Sequence, residues 1–160
     1  MVFSIKSVLL EKYYKIISIG NDFTFFRIND PEFIKLTVRF FPSGVSNIYH
    51  CEFGPLNLTT DEIDTSFRLK DNRYREIIFV VAYILYSFVK KDSMCLVKFS
   101  GLNEARMRLF LIWIVSNWEW VSDRSILYGY NCFGKWEVYV KNNRYGAIYN
   151  TIVFSDRCLS

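Results

Sequence analysis

The stretch IIFVVAYILYSFV, from Ile77 to Val89, constrains the fold more than any other part of the sequence. Its 13 residues are apolar except for one serine and two tyrosines, whereas a helix needs about 20 predominantly apolar residues to cross a bilayer. From Arg73 to about Lys90 the apolar residues recur at the i, i+3, i+4, i+7 spacing of a helix. The sequence therefore predicts a core helix here and no membrane span.

A strand pattern of period two dominates the first half of the chain. In IKLTVRFF, residues 34–41, apolar residues alternate with Lys35, Thr37 and Arg39, which is typical of a strand with one buried and one wet face. We therefore expect Lys35, Thr37 and Arg39 on the solvent side of an antiparallel sheet. Similar runs, separated by turn-rich segments, are found at 13–19, 23–28 and 48–53.

Helix and strand signals alternate in the second half. The polar segment 56–72 is interpreted as a loop, and a second helix is expected from Asn103, with Ile112 on its inward side. We predict an α+β fold: an antiparallel sheet of about five to seven strands with two apolar helices packed on one face, in the order ββββαβαββ(β). The remaining strands are predicted at 94–101, 125–130, 136–141 and 145–154.

Length and cysteine content indicate one domain in a reducing compartment. A chain of 160 residues has the size of a single domain, which we assign to 1–160. Its four cysteines form no CxxC pair, and His50 is its only histidine, so the spacing predicts neither a zinc site nor a redox dithiol. The N-terminal sequence lacks the pattern of a signal peptide. We therefore expect reduced thiols, no bound metal and a cytoplasmic location.

No catalytic or cofactor motif supports an enzyme. Neither GxGxxG nor GxxxxGK[ST] occurs, so no nucleotide cofactor is predicted. His50 has no partner suggested by the sequence, and Cys51 would point to the opposite face of the same strand. The acidic group Asp61, Glu62 and Asp64 lacks the glycine and the terminal glutamate of an EF-hand loop. A non-enzymatic domain is favoured, and a small nuclease or toxin-like hydrolase stays open as an alternative.

Basic and aromatic residues on the predicted strands suggest a macromolecular partner. The net charge is +4, and Lys35 and Arg39 share one strand face near aromatic residues. Exposed rings that stack bases beside lysines are one way in which single-stranded nucleic acid is bound. The competing interpretation is an ordinary sheet with rings inward and lysines outward. A protein partner of the antitoxin or scaffold kind, docking near Trp118 and Trp120, also stays open, as does a homodimer.

The segment SGLNEARMRLFLIW, residues 100–113, places Arg106 and Arg108 near the start of the second helix. Both arginines are candidate contacts for an anion or a partner, together with His50, Lys35 and Arg39. Residues two apart on a helix point about 200° away from each other, so they cannot grip one small anion together. We expect Arg106 to be a paired structural residue and Arg108 to be solvated.

The same segment resembles a small uncharacterised domain family of Bacteroidetes, whose members read GSTxARTRLY at this point. A second stretch, IYHCEFGPLNLTTDEID, is similar to the family's YNLAFGDxxxxTGEIDD, with Pro55 in place of an aspartate. The resemblance extends over roughly residues 12 to 154 and implies a single-domain bacterial cytoplasmic protein. It implies no activity. The first segment shares Gly101, Ala105, Arg106, Arg108 and Leu109 with the family, and the second shares Tyr49, Phe53, Gly54, Glu62, Ile63 and Asp64.

Overall fold

A computed structural model describes most of the chain, and it confirms an α+β fold. The described residues are 10–68, 74–91, 95–100, 110–112, 114–130, 135–138 and 151–156. Helical backbone also occurs at 10–13, 110–112 and 114–116. The strands and helices with assigned bounds are β1 Tyr14–Ile19, β2 Asp22–Arg27, β3 Leu36–Pro42, β4 Ile48–Gly54, β5 Leu56–Asn57, β6 Glu62–Ile63, α1 Tyr74–Lys91, β7 Leu96–Ser100, α2 Trp118–Arg124, β8 Ser125–Tyr130, β9 Trp136–Val138 and β10 Thr151–Asp156.

The chain divides into two compact units. The first unit comprises Met1–Phe40 and Glu52–Lys70, and the second comprises Phe41–Cys51 and Asp71–Ser160. Strands β3 and β4 pass from one unit to the other. The assignment of 1–160 to a single domain stays a prediction.

The first unit is built on an antiparallel meander of β1, β2 and β3. Gly20 makes the turn from β1 to β2 with φ +59°, a value that glycine adopts at little cost. One face of the meander is buried, and the Tyr14 ring lies edge-on to the rings of Phe25 and Phe33 at centroid distances of 6.3 and 5.8 Å. The buried side chains of this core are Tyr14, Phe23, Phe25, Leu36, Val38 and Phe40.

The opposite face of the meander is less wet than alternation predicts. Thr37 was expected in solvent but is buried, and its hydroxyl lies 2.8 Å from that of Thr24 on the neighbouring strand. The two hydroxyls satisfy each other's hydrogen bonding, which lets this polar pair lie out of water. Ile34, expected on the buried side, is exposed because β3 begins only at Leu36.

The polar segment after β4 is not wholly a loop, which corrects the sequence interpretation. Leu56–Asn57 pairs with Glu62–Ile63 as a short antiparallel hairpin, β5 and β6. Asn57 closes its turn by accepting hydrogen bonds from the amides of Thr59 and Thr60, as asparagine does in turns. A hairpin of two-residue strands is too short to show hydrophobic periodicity, so the sequence carried no signal for it.

The second unit contains a mixed sheet with the strand order β4-β7-β10-β8-β9. The prediction of a purely antiparallel sheet is wrong, because β4 and β7 pair in parallel. Parallel neighbours need a crossover connection, and the chain between these two strands includes α1, which can serve as one. The remaining pairs, β7 with β10, β10 with β8 and β8 with β9, are antiparallel.

Helix α1 forms the core of the second unit, as predicted from its sequence. It contacts β7 and β10, and the Phe88 ring lies edge-on to Tyr49 of β4 at 5.2 Å. Among the described residues, no helix is long and apolar enough to span a membrane. The buried residues of α1 are Ile77, Ile78, Phe79, Val80, Val81, Ala82, Ile84, Leu85 and Val89, more than a single amphipathic stripe would contain.

The inward side of the second helical segment was assigned incorrectly. Ile112, predicted to face the core, is 52% exposed, whereas Phe110 and Ile114 are buried. These two residues are four apart and therefore share one helix face. Apolar residues surround this segment on every side in the sequence, so periodicity alone did not determine which of them would be covered.

Candidate functional site

Arg39 lies at the centre of a charged cluster in the first unit. Its Nε and one terminal nitrogen donate to the two carboxylate oxygens of Asp22 at 2.8 and 2.9 Å. That terminal nitrogen also donates to the Asp61 carboxylate at 2.9 Å, and the other donates to the Asp61 carbonyl at 2.7 Å. The hydrogen bond to Asp22, followed by that to Asp61, raises the pKa of Arg39. All three guanidinium nitrogens therefore have protein acceptors.

The local structure explains how this cluster forms. Asp22 and Arg39 are direct cross-strand partners on β2 and β3, so their side chains project from the same face. Asp61 lies in the turn between β5 and β6 with φ +58°, a conformation that aspartate tolerates better than most residues. Arg39 thus joins the hairpin turn to the meander, and its charge is balanced within the protein.

A basic and aromatic surface lies at the other end of the meander. We call it the basic face and define it by Lys12, Tyr13, Lys15, Phe26 and Lys35. Lys15 of β1 is the cross-strand partner of Phe26 on β2. The ammonium group of Lys35 lies 5.4 Å from the centre of the Phe26 ring, and that of Lys12 lies 5.6 Å from the Tyr13 ring. Each ring therefore has a lysine against it.

The lysines of the basic face are not neutralised as Arg39 is. Lys12, Lys15 and Lys35 are exposed, and none of them makes an ion pair with another described residue. A cation–π contact at an exposed site contributes only about 0.5–1 kcal/mol. Each lysine can therefore leave its ring for a stronger anionic partner.

His50, the third predicted site residue that the structure describes, lies on a second surface. It is on β4 in the second unit, where it is the parallel cross-strand partner of Lys98 on β7. Its ring packs against Phe41 at 5.4 Å with an interplanar angle of 34°. No histidine, aspartate or glutamate hydrogen-bonds to it among the described residues, so no general-base pair is present there.

The row that starts at His50 continues across the sheet. Lys98 is the partner of Val153 on β10, Val153 of Tyr128 on β8, and Tyr128 of Val138 on β9. Cross-strand partners project from the same face, and this is the face opposite to Tyr49, which contacts α1. We call it the His50 face. Trp136 and Tyr130, also cross-strand partners, lie on it with ring centres 5.1 Å apart.

The acidic group is not organised as a metal site. The Asp61 carboxylate is hydrogen-bonded to Arg39, and the Asp64 carboxylate accepts from the amide and the hydroxyl of Ser66 at 3.0 and 2.6 Å. Within the described ranges, no group of three or more histidine, cysteine, aspartate or glutamate residues could hold a metal ion. The prediction that the protein binds no metal stays a prediction.

Arg106 and Arg108 lie outside the described residues, so their expected roles stay predictions. His50 belongs to the second unit, whereas the acidic group belongs to the first. Of the predicted site residues, Arg39 lies on β3 and Lys35 directly precedes that strand, but their side chains contact different groups. The sequence placed these two in one site, and the structure gives an aromatic contact to one and carboxylates to the other.

Comparison with known proteins assigns the chain to a family. The sequence matches DUF6934, described as a family of unknown function, over residues 10–151. The chain belongs to this family. The match covers residues of both units of the DUF6934 chain, and it confirms membership of an uncharacterised family. No curated protein and no solved structure matches the chain.

Two residues of the His50 face of this DUF6934 chain were missed as site candidates. They are Tyr128 and Trp136, of which Trp136 is 48% exposed. Alternation in SILYGY and WEVYVK places Tyr128 with Tyr130, and Trp136 with Val138, on common strand faces. It gives no strand order, so the sequence did not show that these residues and His50 lie on one face.

Proposed function

We propose that this protein binds single-stranded nucleic acid and that the basic face of the first unit is a contact surface for the strand. The observation that supports this most directly is that a lysine lies against each of two rings, the exposed ring of Tyr13 and the half-buried ring of Phe26. A base can stack on the ring while the displaced ammonium group binds the neighbouring phosphate. Lys15, beside Phe26, adds a further positive charge.

The two rings are held by different elements. Tyr13 is the last residue of the helical segment 10–13, and Phe26 is on β2. Each ring is a separate stacking platform, and unpaired bases can be splayed onto separate rings whereas paired bases cannot. This favours a single strand as the ligand.

Charge balance limits the affinity that we expect. Glu11 and Glu32 are exposed in segments next to the basic face, and the Arg39 end of the meander is neutralised by Asp22 and Asp61. We therefore leave Arg39 out of the contact surface. Binding should be clear at low salt and weak at physiological salt.

A titration with a fluorescein-labelled oligo(dT) and an oligo(U) of about 15 nucleotides tests the proposal, since ordinary sites cover ~4–16 nucleotides. The wild type and Lys15→Gln/Lys35→Gln are compared at about 50 and 200 mM salt. For a single strand, each neutralised phosphate contributes about 0.7 to the slope of log K against log[salt]. The double variant should therefore bind more weakly, and its slope of log K against log[salt] should be about 1.4 smaller in magnitude than that of the wild type.

The control variant is the single substitution Lys91→Gln, because Lys91 lies exposed at the end of α1 in the second unit. It should bind as the wild type does. Absence of wild-type binding at low salt would contradict the proposed function. An equal loss in the control would show a general charge effect and would remove the basic face as the contact surface.

We also propose that the protein works in the bacterial cytoplasm. The GLNEARMRLF motif supports a bacterial origin through the family that it resembles. Cys51 and Cys95 are buried thiols, as expected in a reducing compartment. Treatment of the native protein with a thiol-reactive dye before and after denaturation should reveal these thiols only in the unfolded chain.

A further inference from the structure

We infer that the outer edge of strand β1 in the first unit binds the same edge of a second copy of this chain, which makes the protein a two-fold symmetric dimer. The two β1 strands run antiparallel and join the two meanders into one continuous sheet. This inference does not depend on the proposed function. Strands pair in the plane of the sheet while side chains project from its faces, so the basic face of each copy stays open.

The backbone of β1 has hydrogen-bonding groups on its outer edge. In the part of the chain that the structure describes, β1 pairs with β2 and with no other strand. Residues of an antiparallel pair alternate between those that exchange hydrogen bonds with the neighbouring strand and those that do not. The Tyr13 carbonyl accepts from the Ile28 amide at 2.8 Å, so the odd-numbered residues of β1 direct their groups to β2. The N–H and C=O groups of Ile16 and Ser18 therefore point to the outer edge.

The side chains along this edge are not those of a protected edge strand. Ile17 is 42% exposed and Ile19 is 76% exposed, and both project from the same face because they are two residues apart. The register of β1 with β2 is continuous, without a bulge, and β1 contains no proline and a single charged residue, Lys15. Proteins normally protect an edge with charges, proline or a bulge, and an unprotected apolar edge pairs with another strand.

The distribution of charge identifies a second copy as the occupant. On the face opposite the core of the meander, one end is basic and contains Lys15 and Lys35. At the other end, Asp22, Arg39 and Asp61 form the charged cluster, whose formal charges leave an excess of negative charge. Antiparallel pairing turns the second copy end for end, so the basic end of each copy meets the acidic end of the other. A parallel partner of the same sequence would place like charges together.

One register of the two strands satisfies the backbone groups. With Ile17 on the two-fold axis, the Ile17 residues of the two copies form a non-hydrogen-bonded pair, in which the Cα atoms are only about 4.5 Å apart. Ile16 of each copy then lies opposite Ser18 of the other, and this pair exchanges both backbone hydrogen bonds. The groups that point to the outer edge are thereby paired with each other.

The same register gives Lys15 a partner. Lys15 of each copy lies opposite Ile19 of the other, and Ile19 is in turn the cross-strand partner of Asp22. The aliphatic part of the lysine can cover the exposed isoleucine while its ammonium group extends toward the acidic end. Because each copy uses the same edge, the pairing is closed at two copies and does not continue into a fibre.

Cysteine cross-linking tests the register. Ile17→Cys should form an intermolecular disulfide under mild oxidation, because a Cα separation of about 4.5 Å is within the range for disulfides. Ile19→Cys is the matched control on the same strand and face. In this register the Ile19 residues of the two copies are displaced along the strands by about 14 Å, so this variant should show only the background of the wild type with its four native cysteines.

Sedimentation velocity over a range of protein concentrations tests the dimer itself. The wild type should dimerise, and Ile17→Lys should raise the dissociation constant at least about tenfold, because it places like charges directly opposite each other. Ile34→Lys is the matched control, since it adds the same charge at an isoleucine of the first unit that is 55% exposed and lies outside β1. It should dimerise as the wild type does. Urea unfolding shows that each variant is folded.

Three results would overturn the inference. The first is a wild type that is monomeric at every concentration. The second is a dimer that Ile17→Lys leaves unchanged, since another surface would then form it. The third is equal cross-linking of Ile17→Cys and Ile19→Cys, which indicates random collision or a different register. None of these measurements involves an oligonucleotide, so a failure of the proposed function is detected separately.

Discussion

Arg39 and Asp22 form a two-point ion pair across β2 and β3, with nitrogen–oxygen distances of 2.8 and 2.9 Å. The fork of the guanidinium group matches the two oxygens of the carboxylate, which makes this the stronger geometry for such a pair. The Arg39 side chain is 20% exposed and that of Asp22 31%, whereas Asp61 is 80% exposed. The pair with Asp22 should therefore contribute more to stability than the contact with Asp61.

Replacement of Arg39 by alanine should destabilise the protein by about 1–3 kcal/mol, between the values for exposed and buried pairs. The reason is that Asp22 loses its partner and the hairpin turn loses its link to β3. Urea unfolding of Arg39→Ala, Asp22→Asn and Asp61→Asn measures these contributions. Asp61→Asn should cost under about 1 kcal/mol. A larger loss for Asp61→Asn than for Asp22→Asn would contradict this ranking.

The stabilisation by Arg39 should not change with pH in the neutral range. Its pKa is raised above an already high ordinary value. A group with a raised folded pKa stabilises fully below its unfolded pKa, and this contribution is lost only as the pH rises through the folded pKa. The difference in unfolding free energy between the wild type and Arg39→Ala should therefore be constant from about pH 6 to 9. A decline within that window would show that another group controls the contact.

Gly54 should not tolerate a side chain. At this position a Cβ atom would collide with the backbone carbonyl oxygen of Asp64, and φ is +158°. Because backbone cannot move aside as a flexible side chain can, Gly54→Ala should cost more than about 2 kcal/mol. Gly20→Ala is the control, since nothing lies within 4 Å of its Cβ, and only its positive φ should cost about 1 kcal/mol. Similar melting temperatures for the two variants would disprove the close approach.

Truncation of isoleucine should depend on burial. Ile84 of α1 is 1% exposed, whereas Ile19 at the end of β1 is 76% exposed. Ile84→Ala should cost about 2–5 kcal/mol, because it removes buried methyl groups and leaves a cavity. Ile19→Ala should change the unfolding free energy by less than about 0.5 kcal/mol. Chemical denaturation compares the two, and a small loss for Ile84→Ala would mean that α1 is not the core helix.

The two arginines of the GLNEARMRLF segment should differ in their effect on stability. Arg106→Ala should cost about 2–4 kcal/mol if Arg106 is a partly buried residue paired with a carboxylate, and Arg108→Ala should cost under about 1 kcal/mol. The reason is their divergence of about 200° on a helix. Denaturation curves of both variants provide the measurement. Equal and small losses would assign both arginines to the surface.

The sequence predicted the candidate site in part. Lys35 was expected near aromatic strand residues, and its ammonium group does lie against the Phe26 ring. Arg39 was expected beside it as a further contact for an anion, but its nitrogens contact Asp22 and Asp61. Asp61 is 22 residues further along the chain, and no local pattern indicates which charge a loop aspartate will meet.

The sequence by itself determined helix α1 and most of the longer strands, because hydrophobic periodicity is local, but it carried no signal for the hairpin of β5 and β6. It located α1 to within one residue at each end and β8 at its observed bounds, since long amphipathic runs and clean alternation have few alternative structures. Strand order, the parallel pairing of β4 with β7 and the contacts of Arg39 were decided only by the tertiary structure. These depend on pairing between residues far apart in the chain, and many pairings satisfy the same local pattern. For the same reason, the row from His50 to Val138 became visible only once five strands were in their places.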